Sequence, residues 1–395
     1  MVVGAPGHQA AITGVGLSAP GRKNPRPVMD LMLDAVEEAL ADAGLALSEI
    51  DGIATWPSAS ASAGMAPIGV IELKETLGID LNWYLGVGEG PGQYSSIINA
   101  ISAVVSGQAR HVLCYRTLEE FSAIQRRRAQ PQGEAANARI SGNYVWQRPF
   151  NALSVVNSQA MMAKRHMHEF GTTKEQLGWV AVNARRNAML NSRANYRDPM
   201  SIDDYFNARM ISDPLGLFDC DAPTDAATVI IISSLDAARD LRKAPLRIEA
   251  MSGVAYGRNS WEQYEPLSGM AALEAGQQLW KHTDLKPADV NVANLYDGFT
   301  IQTLIWLEAL GFCKRGESGP FVEGGSRIAR DGALPLNTGG GQLSMGRMHG
   351  FGLLWETCLQ LWGEAGERQV PGSVEVGVAA AGGGPLAGCL LLARH

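Results

Sequence analysis

Two stretches of this chain share one layout, and that sharing constrains the fold more than any other feature. VMDLMLDAVEEALADAGLALSEIDGIAT begins at Val28, and LSGMAALEAGQQLWKHTDLKPADVNVANLYDG begins at Leu267. Each runs helix, short polar link (DAGLALSEID or TDLKPADVN), then strand. A repeated order at this spacing predicts a duplicated half, with the second copy starting near Ala244. In the first copy Leu31, Ala35, Ala39 and Leu40 fall on one helical face, and Gly44 ends the helix. QAAITGVGLSAP ahead of it reads as a strand and turn, and ARHVLCYRTL further on as another strand. The order β, α, β, α, β implies a parallel or mixed sheet with helices packed on it. The units expected are residues 1–243 and 244–395. An insertion is expected at about 117–228, where polar, basic and helical segments replace the apolar pattern. Within it, two helices should meet at Gly171, with Thr172 or Thr173 capping the second.

The chain's 395 residues suffice for two or three domain-sized units and a large core. A balance of 33 basic against 40 acidic residues argues against a general nucleic-acid surface. The five cysteines are odd in number and widely spaced, with no CxxC pair or Cys/His cluster. No metal site is expected from them, and a reducing cytoplasm is the expected setting. MVVGAPGHQAAITGVG lacks the basic and apolar regions of a signal peptide, and no apolar run has membrane-spanning length.

GVGEGPGQYSSIINAISAVVSG, from Gly86 to Gly107, poses the functional question. Four glycines and a proline occupy its first seven residues, and an apolar helix follows. Glycine-rich turns at helix N-termini hold anions or nucleophiles, yet the turn itself offers no Cys, Ser or Lys. A phosphate cradle, an emptied nucleophile site and a plain tight turn remain open from the residues alone. The partial GxGxxG does not open a first βαβ unit with an acidic residue at the right distance, so a dinucleotide site is not expected. Arg126, Arg127 and Arg128 read as a solvated charge run. His111, His166, His168 and His282 lack metal spacing and read as surface or packing residues.

DAVEEALADAGLALSEIDGI, AMMAKRHMHEFGTTKEQLGWVAVNARRNAMLN, YRDPMSIDDYFNARMISDPLGLFDCDAPTDAATVIII, LYDGFT and NTGGGQLSMGRMHGFG together resemble the thiolase superfamily, in its sterol carrier protein X-like branch. They follow the family's order over nearly the whole chain. The resemblance implies an α/β thiolase fold: duplicated βαβαβαββ halves in a five-layer αβαβα sandwich with an inserted loop domain, and a homodimer. Family thiolases use a cysteine nucleophile at the N-terminus of a buried helix, where the helix dipole lowers its pKa. That position falls on Gly90 here. The two catalytic histidines fall on Tyr296 and Arg347, and the second cysteine on Ala380. Cys114 and Cys389 lie in strands and read as core thiols.

What remains resembles the thiolase-like steroid side-chain aldolases, which lack the cysteine and carry a tyrosine in YDxFT. The resemblance implies retro-aldol cleavage of a branched or polycyclic 3-hydroxyacyl-CoA to a ketone and a short acyl-CoA such as propionyl-CoA. No cofactor would be permanently bound, since CoA arrives as part of the substrate. A small partner with a zinc ribbon and an OB-fold is implied; nucleic acid and membrane are not. Tyr296 becomes the expected acid/base residue. To act as a base near neutral pH, Tyr296 would need a nearby cation or hydrogen-bond donor, which Arg347 or His349 could supply; the aldolases' second tyrosine falls on Arg347, which makes His349 the expected proton carrier. Gly382, Gly383 and Gly384, with the amide of Gly90, are expected to receive the thioester oxyanion. Asn337 is expected beside the coenzyme-bound substrate, tying down its own loop, and Asp297 is expected to accept from nearby backbone. Two other readings stand: a non-catalytic thiolase-like acyl-CoA or lipid-binding subunit, and an acyltransferase with an unconventional nucleophile.

Overall fold

A computed structural model describes residues 9–22, 26–57, 59, 64–88, 90–129, 144–256 and 258–394. The first half runs β1 (Ala10–Leu17), α1 (Val28–Ala43), β2 (Gly52–Thr55), α2 (Val70–Leu77), β3 (Trp83–Gly86), α3 (Ser95–Val105) and β4 (His111–Glu119). The chain then leaves the sheet for α4 (Glu120–Ala129), α5 (Tyr144–Gln147), α6 (Val155–Phe170), α7 (Lys174–Met189), α8 (Ile202–Phe206) and the small hairpin β5 (Met210–Ser212) with β6 (Leu215–Gly216). It returns as β7 (Asp225–Ser234), which pairs antiparallel with β4, and α9 (Leu235–Ala238) follows. The second half comprises β8 (Leu246–Val254), α10 (Met270–Leu279), β9 (Val292–Asn294), α11 (Thr300–Ala309), α12 (Ser318–Val322), α13 (Phe351–Trp362), β10 (Val376–Gly382) and β11 (Ala387–Ala393).

Strand order makes the repetition visible. One half reads β3-β2-β4-β7-β1 and the other β9-β10-β11-β8. The β2–β4 and β9–β10 pairs are parallel, and β4–β7, β7–β1, β10–β11 and β11–β8 are antiparallel. Where β3 flanks β2, a single parallel bridge from Ala293 to Leu336 flanks β9. The two halves of this sheet join where β1 and β8 pair, Ala11 with Arg247 and Ile12 with Leu246. Helices α1 and α2 cover the outer face of the first half, and α10, backed by α11, covers that of the second. Helices α3 and α13 lie between them, α13 touching β9 and β10 on one side and β1 and β7 on the other. This layering is the thiolase sandwich.

Small residues set the spacing of the outer layer. Alternation in AAITGVGL points Gly14 and Gly16 at the Ala35, Ala39 and Ala43 face of α1. A Cβ on Gly16 would stand 2.0 Å from the carbonyl oxygen of Ala35, a backbone atom that cannot move aside cheaply. Gly16→Ala is therefore expected to destabilise the protein by about 1–3 kcal/mol through overpacking, read as a lower urea midpoint at unchanged slope. Helix ends follow the sequence expectations: Gly44 and Gly171 close α1 and α6 in the left-handed conformation, and the Thr173 hydroxyl accepts from the amide of Gln176 at 3.2 Å.

Candidate functional site

The two central helices begin at the same place. Gly92 and Gln93 precede α3, His349 and Gly350 precede α13, and the buried Tyr94 hydroxyl ties the two turns by donating to the Gly350 carbonyl at 2.9 Å. A cavity of about 460 Å³ opens there. Its polar end is built by Gln93, Glu120 just past β4, Asp221 just before β7, Tyr296 just past β9, Arg347 and His349. The rest of its lining is mostly apolar, from Trp56, Met65, Val155, Val156, Trp261, Phe299 and Leu386, with Ser154, Asn259 and Gln302 among them. The size is that of a small-molecule site.

Tyr296 is buried, and its phenolic oxygen accepts from Gln93 Nε2 at 3.3 Å. Burial and the neighbouring Asp221 charge push its pKa well above the ordinary tyrosine value, against the pull of Arg347. The phenol is thus protonated at neutral pH. Arg347 holds two carboxylates, donating from Nε to Glu120 at 2.6 Å and from Nη1 to Asp221 at 3.2 Å. Burial opposes its charge, but Asp221 and Glu120 outweigh burial and raise its pKa. Asp221 is pushed up to about 7 by burial, with Glu120 and Asp297 repelling its charge and Arg347 favouring it.

His349 occupies a left-handed turn (φ 46°) ahead of α13. Arg116 Nη2 donates to its Nδ1 at 3.0 Å. An arginine can only donate, so Nδ1 is the acceptor and the proton sits on Nε2. Burial, then Arg116 and Arg347, hold the imidazole well below its usual pKa, and the helix terminus acts in the same sense. The 3.9 Å approach of Nε2 to Glu120 is therefore not an ion pair. This geometry argues against His349 as the expected proton carrier, since its basic nitrogen accepts from Arg116 and its ring is held neutral.

Of the other sequence candidates, Gly382, Gly383 and Gly384 line the cavity. Trp306 Nε1 donates to the Gly382 carbonyl at 2.7 Å, and Gln302 and Gln159 donate to that of Gly383 at 2.9 and 3.1 Å. The glycines admit this packing: a Cβ on Gly383 would lie 2.1 Å from Gln302 Nε2, and one on Gly384 2.4 Å from Trp261. Gly90 is not among the cavity-lining residues; Gly92 and Gln93 take that place, and the Gly90 carbonyl accepts from Gly92 N at 2.7 Å. Asn337 is also outside the lining. Its amide brackets Leu295, accepting from the backbone N–H at 2.7 Å and donating to the carbonyl at 3.0 Å, so it positions the neighbour of Tyr296 rather than its own loop. Asp297 accepts from the amide of Gln342 at 2.8 Å, as expected. Ala380 is buried in β10.

Sequence reasoning missed Gln93, Arg116, Glu120 and Asp221. Asp221 had a local signal, since GLFDCDAP places two aspartates around one residue. Asp219 is the structural one of the two: it accepts from Tyr205 and Thr300 hydroxyls, each at 2.6 Å, from Gly216 N at 2.7 Å and from Lys174. It ties the loop before β7 to the start of α11, and so sets Asp221 beside the Tyr296 loop. No cysteine or lysine is among the described residues lining the cavity. Cys114 and Cys389 are buried in their strands, with thiol pKa values raised by burial. Among the described residues no three His, Cys, Asp or Glu side chains form a metal-binding group. No helix of the described residues is long and apolar enough to cross a membrane.

Comparison with known proteins agrees with this geometry. Residues 253–390 match the thiolase C-terminal domain-like family. The chain is 35% identical over 390 residues to the steroid side-chain-cleaving aldolase of Thermomonospora curvata, covering 97% of each. It is 35% identical over 392 residues to the 17-hydroxy-3-oxo-4-pregnene-20-carboxyl-CoA lyase of Mycobacterium tuberculosis, covering 97% of this chain and 99% of that one. The solved structure of the Ltp2–ChsH2(DUF35) aldolase superposes with a TM-score of 0.86 at 33% identity, covering 100% of both chains. The chain belongs to the thiolase superfamily, among the thiolase-like steroid side-chain-cleaving aldolases.

Proposed function

We propose that this protein is a carbon–carbon lyase that cleaves a branched or polycyclic, steroid-like 3-hydroxyacyl-CoA into a ketone and a short acyl-CoA. One observation carries the reading: an apolar cavity ends in a phenol, two carboxylates and a guanidinium, with no nucleophilic cysteine or lysine among its described lining residues. Such a set moves protons and does not form an acyl-enzyme or a Schiff base. The names of the relatives support a steroid skeleton for the part of the substrate lying along Trp56, Trp261 and Phe299.

In this reading the thioester carbonyl rests against amides of Gly383 and Gly384 and the N-terminal end of α3, which stabilise the enolate oxygen. Loss of the β-hydroxyl proton lets the Cα–Cβ bond break. The ketone forms at Cβ, the electron pair enters the enolate, and Tyr296 donates a proton to Cα. Arg347 fixes the carboxylates beside the phenol. CoA enters only with the substrate, and no resident cofactor takes part.

The double name of the Ltp2–ChsH2(DUF35) aldolase supports a small partner protein here too. A zinc-ribbon/OB-fold architecture for it and a homodimer of this chain follow from the resemblance. The five unpaired cysteines support a cytoplasmic setting. The test is incubation of the chain, alone and with the partner, with tertiary 3-hydroxyacyl-CoA thioesters. Ketone and shortened acyl-CoA in equal amounts are expected. Neither product across several ring systems, with acyl-CoA binding retained, would leave a non-catalytic acyl-CoA-binding subunit.

A further inference from the structure

The cleavage needs an acceptor for the β-hydroxyl proton, and neither sequence candidate supplies one. Tyr296 is already protonated, and the free lone pair of His349 is spent on Arg116. Resting on the aldolase reading above, we infer that Asp221 is the catalytic base that takes this proton.

Its placement supports the role. Asp221 lines the cavity together with Tyr296. Its backbone is stitched to the tyrosine's loop: Asp221 N donates to the Gly298 carbonyl at 3.1 Å, and Cys220 forms a bridge with Phe299. The two groups are therefore held together by main chain. One guanidinium serves two carboxylates, and it binds Glu120 more closely, at 2.6 Å against 3.2 Å for Asp221. Asp221 is the carboxylate left short of positive charge. The charged and titratable groups acting on it are Arg347 and Glu120 across the cavity end, Asp297 and Tyr296 from the loop after β9, and Cys220 beside it. Burial with this excess of negative charge raises its pKa to about 7, which makes the carboxylate a stronger base than an ordinary aspartate.

The protons balance. Ionised Asp221 takes the hydroxyl proton as the C–C bond breaks. The enolate takes the phenolic proton of Tyr296 at Cα. Protonated Asp221 then returns its proton to the phenolate, downhill because the phenol holds a proton far more tightly. The net change is one proton moved from oxygen to carbon, with both side chains restored.

The experiment measures kcat from pH 5.5 to 9 for the wild type, Asp221→Asn and Asp221→Glu, each with the partner protein, and acyl-CoA binding for each. The wild-type rate is expected to fall about tenfold per pH unit below a midpoint near 7. Asp221→Asn is expected to lose kcat by at least about 10²-fold and to lose the acid limb, while still binding acyl-CoA. Asp221→Glu should recover part of the rate with the limb moved along the pH axis. If Asp221→Asn does not fold, the Glu variant decides, and an unmoved limb overturns the inference. An active wild type beside an Asp221→Asn protein with unchanged rate and limb overturns it alone. A wild type that forms no ketone overturns the aldolase reading and this inference with it.

Discussion

Replacing Tyr296 by phenylalanine is expected to lower kcat for thioester cleavage by about 10²–10⁴-fold, the usual contribution of a positioned proton donor, with little change in KM. The buried ring is held by packing, and its hydroxyl accepts from Gln93 at a long 3.3 Å with the Gln342 side chain also beside it. Stability should therefore change little. What is lost is the donor to the enolate carbon, made only as the C–C bond breaks, so kcat and kcat/KM fall together. The pH profile adds a second check. The Tyr296 pKa lies above the ordinary value of about 10, so the wild-type rate should show no alkaline fall from this residue up to about pH 10. An alkaline limb near pH 8 that disappears in Tyr296→Phe would mean that the phenol is far more acidic than its burial dictates. Wild-type rates in Tyr296→Phe would remove the phenol from the chemistry.

Much of the fold was legible because its signals are local. Glycine at the end of α1 and threonine ahead of α7 act within a few residues, and the repeated helix–link–strand order reports the duplication. The empty nucleophile turn was legible too: with Gly92 and Gln93 at the cavity and no cysteine among its described lining residues, the Gly86–Gly107 stretch fits a thiolase turn without its cysteine. The acid/base set was legible only in part. Tyr296 sits in a recognisable motif, but Glu120, Asp221 and Arg347 converge from positions more than a hundred residues apart, and no spacing rule reports that. The same holds for His349. Its sequence gives no sign of Arg116, on a strand more than two hundred residues earlier, yet that donor occupies Nδ1 and fixes its tautomer. Gly90 missed the cavity because counting back along a helix cannot locate where its glycine-rich approach turns inward.

Arg347→Gln should expose how this end of the cavity is balanced. Removing the guanidinium leaves Glu120 and Asp221 buried without their shared cation. Breaking such a pair is expected to destabilise the protein by about 2–4 kcal/mol near pH 8, somewhat below the full buried-pair value because the arginine side chain is 24% exposed. The loss should shrink on acidification, and the sign follows from linkage. Asp221 and Asp297 each have a folded pKa of about 7, above the unfolded value of about 3.9. Between those values the native state binds more protons than the unfolded chain, so stability contributed by these groups is present at low pH and lost as pH rises through 7. Arg347 is the influence that lowers the Asp221 pKa, so its removal raises that pKa further and steepens the loss on the alkaline side. Thermal melts of wild type and Arg347→Gln at pH 5.5 and 8 should therefore differ more at pH 8. A deficit of equal size at both would show that Arg347 acts through packing alone, and the excess negative charge that makes Asp221 basic would lose its physical ground.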